Sequence, residues 1–134
     1  MSIYVILCPV GSRGTPSKAD IEEFLKIFKS CWDGSVVPRL DTSNDETLAI
    51  LGITAKHRKE EVMRLCVEDY CEGPSPDYDG NSNKEWWIFG RYVKGYEIYI
   101  KIAVSTRNDG RHVGRCMSFH IPKWEMKYPH RQRS

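Results

Sequence analysis

The stretch EIYIKIAVS (97–105), followed by NDG (108–110) and VGRCMSFHI (113–121), decides how the chain folds. Side chains alternate across a β-strand, so Ile98, Ile100, Ile102 and Val104 fall on one side and Glu97, Tyr99, Lys101 and Ala103 on the other. Asp109-Gly110 tolerates positive φ angles and reads as a hairpin turn. In the strand after it, Met117, Phe119 and Ile121 share one side, and Cys116, Ser118 and His120 share the opposite one. The apolar sides must be covered by a second layer. The polar sides then gather Glu97, Tyr99, Lys101, Ser118 and His120 on one exposed face.

Upstream, Trp86–Tyr92 reads as a strand and Lys94-Gly95 as the turn into Glu97. Trp86 and Trp87 are neighbours and point to opposite sides, so one belongs to the core and the other is open to stack on a base. Arg91 shares its strand side with Trp87 and Phe89, and reads as a phosphate contact or a structural salt bridge.

The first half is helical. Ser17 caps a helix carrying Ile21, Phe24, Leu25 and Phe28 at i, i+3, i+4, i+7 spacing, with Asp20, Glu22 and Glu23 suited to its positive end. Trp32-Asp33-Gly34 ends it, and Val36–Leu40 is a short extended stretch. Ser43 or Asn44 caps a second helix, with Leu48 and Leu51 inward and Gly52 as its stop. Thr54 caps a third, from Ala55 to Cys66, with Val62, Met63 and Cys66 inward and Lys56, Arg58, Lys59 and Glu60 in water. Glu72 to Asn83 reads as a long exposed loop. Ile3–Cys8 reads as an N-terminal strand, Val10–Ser17 as a loop, and Lys123–Ser134 as a basic tail after Pro122. Helices first and an antiparallel meander afterwards make an α+β arrangement in one domain spanning residues 1–134.

Composition fits this reading. A hydrophobic fraction of 40% and a charged fraction of 28% are those of an ordinary globular protein. The apolar run Ile3–Val10 is too short to span a membrane and is broken by Pro9. It lacks the flanks of a signal peptide, and a cytoplasmic location is expected. The five cysteines are odd in number and form no CxxC pair, which points to reduced thiols and no zinc site. The net charge of +2 hides an asymmetry. Residues 1–83 hold nine basic and fourteen acidic side chains, a net of −5. Residues 84–134 hold eleven basic and four acidic, a net of +7. A basic half on a small domain suits an anionic partner such as RNA.

The polar face has the groups that RNA cleavage needs. A base must take the 2′-hydroxyl proton, cations must hold the phosphorane, and an acid must protonate the leaving 5′-oxygen. His120 can serve as acid or base near neutral pH. Lys101 can stabilise the phosphorane charge, and Tyr99 can donate a hydrogen bond or stack on a base. No cofactor and no metal are called for. The candidate RNA contacts around this catalytic group are Trp87, Arg91, Arg115, Ser118 and Lys123.

The segment from Glu97 to Val104, followed by Cys116-Met-Ser-Phe-His120, resembles the C-terminal strands of the MqsR (motility quorum-sensing regulator) toxins. The likeness continues, in order, through the helix Asp20–Ser30, Val36-Val37-Pro38-Arg39, Leu51-Gly52-Ile53, Leu65–Tyr70 and the tryptophan-bearing strand Trp86–Tyr92. It covers about residues 18–121 and leaves 1–17 and the tail 122–134 as additions. The resemblance implies a RelE-like, microbial-ribonuclease-like fold, with helices packed on a curved antiparallel sheet. It implies a ribosome-independent mRNA endoribonuclease of a type II toxin–antitoxin system, leaving a 2′,3′-cyclic phosphate. Its partners would be single-stranded mRNA and a cognate, DNA-binding antitoxin. The family's active-site tyrosine falls on Tyr99, the neighbouring lysine on Lys101, and the lysine of the last strand on His120. A further family lysine falls near Glu72, where the charge is reversed.

Overall fold

The computed structural model describes residues 15–38, 40–76 and 85–131. The expected N-terminal strand Ile3–Cys8 and most of the loop after it lie outside the described residues, as does the end of the tail. Among the described residues the order is α1 (Lys18–Cys31), α2 (Ser43–Leu51), α3 (Ala55–Met63), a short 3-10 turn (Val67–Asp69), β1 (Tyr70–Pro76), β2 (Glu85–Val93), β3 (Tyr96–Thr106) and β4 (His112–His120). The strands form one antiparallel sheet in the order β1-β2-β3-β4, so the fold is α+β with the helices on one side of the sheet.

The helix signals are realised as local chemistry. The Ser17 hydroxyl accepts from the Asp20 amide, and the Asp20 carboxylate accepts from the Ser17 amide, a reciprocal cap of α1. Ile21, Phe24, Leu25 and Phe28 are its buried residues. Gly52 ends α2 in the left-handed conformation at φ +68°, and the Thr54 hydroxyl caps α3 by accepting from the His57 amide. The α1 stripe meets the sheet through aromatic rings. Phe24 stacks on Trp87 with centroids 4.2 Å apart and 12° between planes, and Tyr70 meets Trp87 edge-on at 6.1 Å. Ile98, Ile100, Ile102, Val104 and Phe119 complete this core.

Several expectations are corrected. The segment beginning at Glu72 is not a loop through Pro76: Tyr70–Pro76 pairs with β2, Tyr70 opposite Phe89, Glu72 opposite Ile88 and Ser75 opposite Trp86, with a register shift on either side of Glu72. The third helix stops at Met63, and Cys66 is exposed rather than inward. Arg58 is buried rather than in water. Lastly, β4 does not alternate strictly. Ser118 pairs with Lys101 and Cys116 with Ile102, so Met117 is a bulged residue. Cys116 and Phe119 therefore both face the core, and Cys116 is fully buried. The sequence pattern had placed Cys116 on the polar side.

The bulge is held from below by Asn44. Its side-chain amide donates to the Met117 carbonyl at 3.0 Å, and its oxygen accepts from the Phe119 amide at 3.0 Å. Asn44 is thus not a cap but a partner for the outer edge of β4, and Thr42 takes the cap position of α2. The edge is completed by the Val37 amide donating to the Cys116 carbonyl and the Ile121 amide donating to the Thr47 hydroxyl. The expected extended stretch at 36–40 survives as this bridge of Val36 with Cys116.

A second polar assembly ties α3 to the sheet. Glu61 accepts from Arg91 at 2.9 Å and from Arg64 at 3.3 Å, and lies 3.0 Å from His57 Nε2. Burial pushes the Glu61 carboxyl up, but hydrogen bonds from Arg91 and His57, with the charges of Arg91 and Arg64, outweigh it and leave it below its ordinary value of 4.5. A group depressed in the folded state contributes stability above its ordinary value and loses it as pH falls. The urea midpoint should therefore drop as pH is lowered below about 4.5, and the Glu61→Gln protein should show less of that drop. An identical acid profile in both proteins would exclude Glu61 as a source of acid sensitivity.

Candidate functional site

The outer face of the sheet, away from the helices, is set by cross-strand register, because paired residues share a face. Tyr99 lies directly opposite His120, and Lys101 directly opposite Ser118. On the other flank Tyr99 faces Gly90, Lys101 faces Ile88, and Glu97 faces Tyr92. The polar constellation of the sequence is therefore assembled as adjacent rungs of one ladder.

The rings of Tyr99 and His120 stack, with centroids 5.2 Å apart and 19° between planes. His120 Nδ1 sits 3.1 Å from the Ile121 carbonyl oxygen. A carbonyl only accepts, so Nδ1 carries the proton in this contact, and Nε2 of the neutral ring is the basic nitrogen. The Lys101 ammonium lies 5.6 Å from the centroid of the Trp86 ring, a cation–π contact that directs it along the outer face.

The candidate RNA contacts divide. Arg115 pairs with Ala103 and is exposed on the outer face, and Lys123 is exposed just beyond β4. Strict alternation would have turned Arg115 toward the core, and the bulge at Met117 turns it outward. Trp87 is corrected: it is 0% exposed against Phe24, and no base can reach it. Trp86 is the outer-face member of the pair, itself buried beneath Lys101. Arg91 is also corrected. It is held by Glu61 and lies 3.8 Å from Asp69, so it is a structural ion pair rather than a phosphate ligand. Ser118 has the expected position but is 1% exposed, which withdraws it from direct contact with a phosphate.

Sequence reasoning missed what the tail does. Residues 122–131 return across the outer face as a strap. The Tyr128 hydroxyl donates to Glu97 at 2.7 Å, and burial together with this hydrogen bond pushes its phenol far above the usual range. The Arg131 guanidinium stacks on the Tyr128 ring at 3.6 Å and reaches Asp69 at 3.3 Å. His130 Nε2 donates to the Pro16 carbonyl at 2.9 Å. The strap fits because position 90 has no side chain: a Cβ there would lie 2.2 Å from the Tyr128 hydroxyl. The signal in the sequence was the aromatic Trp124 and Tyr128 within a tail read as merely basic.

Between the strap and the sheet lies an open pocket of about 210 Å³, lined by Cys71, Glu72, Ile88, Tyr99 and strap residues Trp124 to Lys127. Burial pushes the Cys71 thiol up to about 12, and the core thiol of Cys116 likewise, so both stay protonated and unreactive at neutral pH. Cys31, Cys66, Cys71 and Cys116 are all unpaired, and Cys8 lies outside the described residues. Among the described residues no three His, Cys, Asp or Glu side chains converge as a metal ion would require, and no helix is long and apolar enough to cross a membrane.

No family model, no curated protein and no solved structure matches the chain.

Gly90→Ala should lift the strap. The expected result is a loss of about 1–3 kcal/mol of stability, in the range of other overpacking substitutions. Faster proteolytic cleavage after Ile121 should accompany it. Unchanged stability with an unchanged cleavage pattern would show that the strap does not depend on the missing side chain.

Proposed function

We propose that this protein is a ribosome-independent endoribonuclease, the toxin of a type II toxin–antitoxin pair on a RelE-like fold, and that it cleaves mRNA without a metal. The observation that supports it most is the His120 ring. One nitrogen is committed to a backbone carbonyl, the other is basic, and the ring is stacked on Tyr99 one rung from Lys101.

In this reading His120 Nε2 takes the proton of the ribose 2′-hydroxyl. The 2′-oxygen then bonds to phosphorus as the P–O5′ bond breaks, leaving a 2′,3′-cyclic phosphate. The Tyr99 hydroxyl gives its proton to the departing 5′-oxygen, and the imidazolium returns one to the phenolate, so both side chains end as they began. Lys101 holds the negative charge that builds on the phosphorane oxygens. Arg115 and Lys123 attract the flanking phosphates. A cognate antitoxin, a DNA-binding protein made with the toxin, would hold the enzyme inactive. A basic outer face is a fitting target for such a partner's acidic groups.

The test is incubation of the purified protein with a long single-stranded RNA in excess EDTA, followed by analysis of the new 3′ ends. Cyclic phosphates are expected. His120→Ala should reduce the rate by about a hundredfold or more, the usual contribution of a positioned acid–base group. Tyr99→Phe should also reduce it, with both variants keeping the wild-type melting temperature. No cleavage, or cleavage that requires Mg²⁺, would overturn the proposal.

A further inference from the structure

The strap pocket has a chemistry of its own. Its walls are aromatic and apolar, from Trp124, Ile88 and Met126, and Tyr99 joins it to the His120 group. Trp124 is 69% exposed at the pocket, whereas Trp32, Trp86 and Trp87 are all buried. Glu72, Glu125 and Lys127 are the charged residues of the lining. Its volume lies below the roughly 300 Å³ at which closed small-molecule sites begin, so it suits one planar ring rather than a whole metabolite.

We infer that this pocket is a base-binding subsite for an unpaired nucleobase bearing an exocyclic amine (cytosine, adenine or guanine) and that it rejects uracil. The inference rests on the ribonuclease reading of the adjoining residues. Stacking on Trp124 is open to any base. The carboxylates discriminate, because an ionised carboxylate only accepts hydrogen bonds. An exocyclic amine offers two N–H donors to them, as cytosine N4 does to Glu or Asp in nucleic-acid complexes. Uracil has no amine: its N3–H, the one donor on that edge, is flanked by two carbonyl oxygens that carboxylates repel. Lys127 places a cation at the same rim for the attached phosphate. Tyr99 lines the subsite and stacks on His120, so a seated base brings its own ribose and phosphate to the reacting group.

Because the other three tryptophans are buried, quenching of intrinsic fluorescence reads Trp124 directly. The full chain should be titrated with CMP, AMP, GMP and UMP, and separately assayed for cleavage. Saturable quenching by CMP, AMP and GMP is expected, with UMP at least about tenfold weaker. By NMR titration, Trp124→Ala should weaken CMP binding by about five- to a hundredfold, the range for losing one stacked aromatic. Trp124→Phe should largely retain it, and Glu72→Gln with Glu125→Gln should bring UMP close to CMP. Equal binding of UMP and CMP by the wild type would overturn the inference. So would CMP binding by Trp124→Ala at wild-type strength, or binding of none of the four. RNA cleavage without base discrimination would remove the subsite and leave the nuclease. Monophosphate binding without cleavage would remove the nuclease and leave the subsite.

Discussion

The bulge at Met117 is the constraint on which the outer face depends. It lets Cys116 and Phe119, three residues apart, both pack inward against β3, while Ser118 and His120 stay outward and Arg115 is turned out with them. Its distorted backbone exposes a carbonyl and an amide at the edge of the sheet, and burying them unpaired would cost a few kcal/mol. One amide side chain, Asn44, meets both. The placement of the imidazole opposite Tyr99 is thus secured by a helix on the far side of the sheet.

Charge is sorted in the same two-sided way. Arg91 and Arg131 belong to the basic half of the sequence, yet both are drawn to Asp69, and Arg91 to Glu61, at the flank of the sheet. Part of the basic excess is therefore neutralised by carboxylates of the acidic half. Lys101, Arg115, Lys123 and Lys127 remain on the outer face and the strap. This smaller set, offset by Glu72, Glu97 and Glu125 on the same face and strap, sets the field that an anionic partner would meet.

Much of this was legible in the sequence where a local rule governs. The Ser17 cap, the Gly52 stop, the α1 stripe and the β3 alternation each follow from interactions within a few residues, and the structure has them all. Alternation placed Tyr99 and His120 on one face, and their standing directly opposite each other depends on the bulge. What failed needed non-local information. A bulge leaves no mark in strand periodicity, so Cys116 was placed on the wrong side. Gly73 and Pro74 signal a loop, yet tertiary pairing with Trp86 makes them part of β1. Trp86 and Trp87 could not be told apart, since the ring that meets Phe24 is chosen by where α1 lands. The strap was hidden because its anchor is an absence, the missing side chain at Gly90.

The clasp of Asn44 on β4 has a further consequence for how the molecule meets other chains. An open sheet edge invites another strand to pair with it, which is a common route to aggregation. Here the Cys116 and Met117 carbonyls and the Phe119 and Ile121 amides along the β4 edge are engaged by Val37, Asn44 and Thr47, and β1 at the opposite edge is broken by register shifts and carries Pro74 and Pro76. Both flanks resist extension of the sheet. Recognition of this protein is therefore directed to its side chains rather than its backbone, and a partner must read the surface instead of lengthening it.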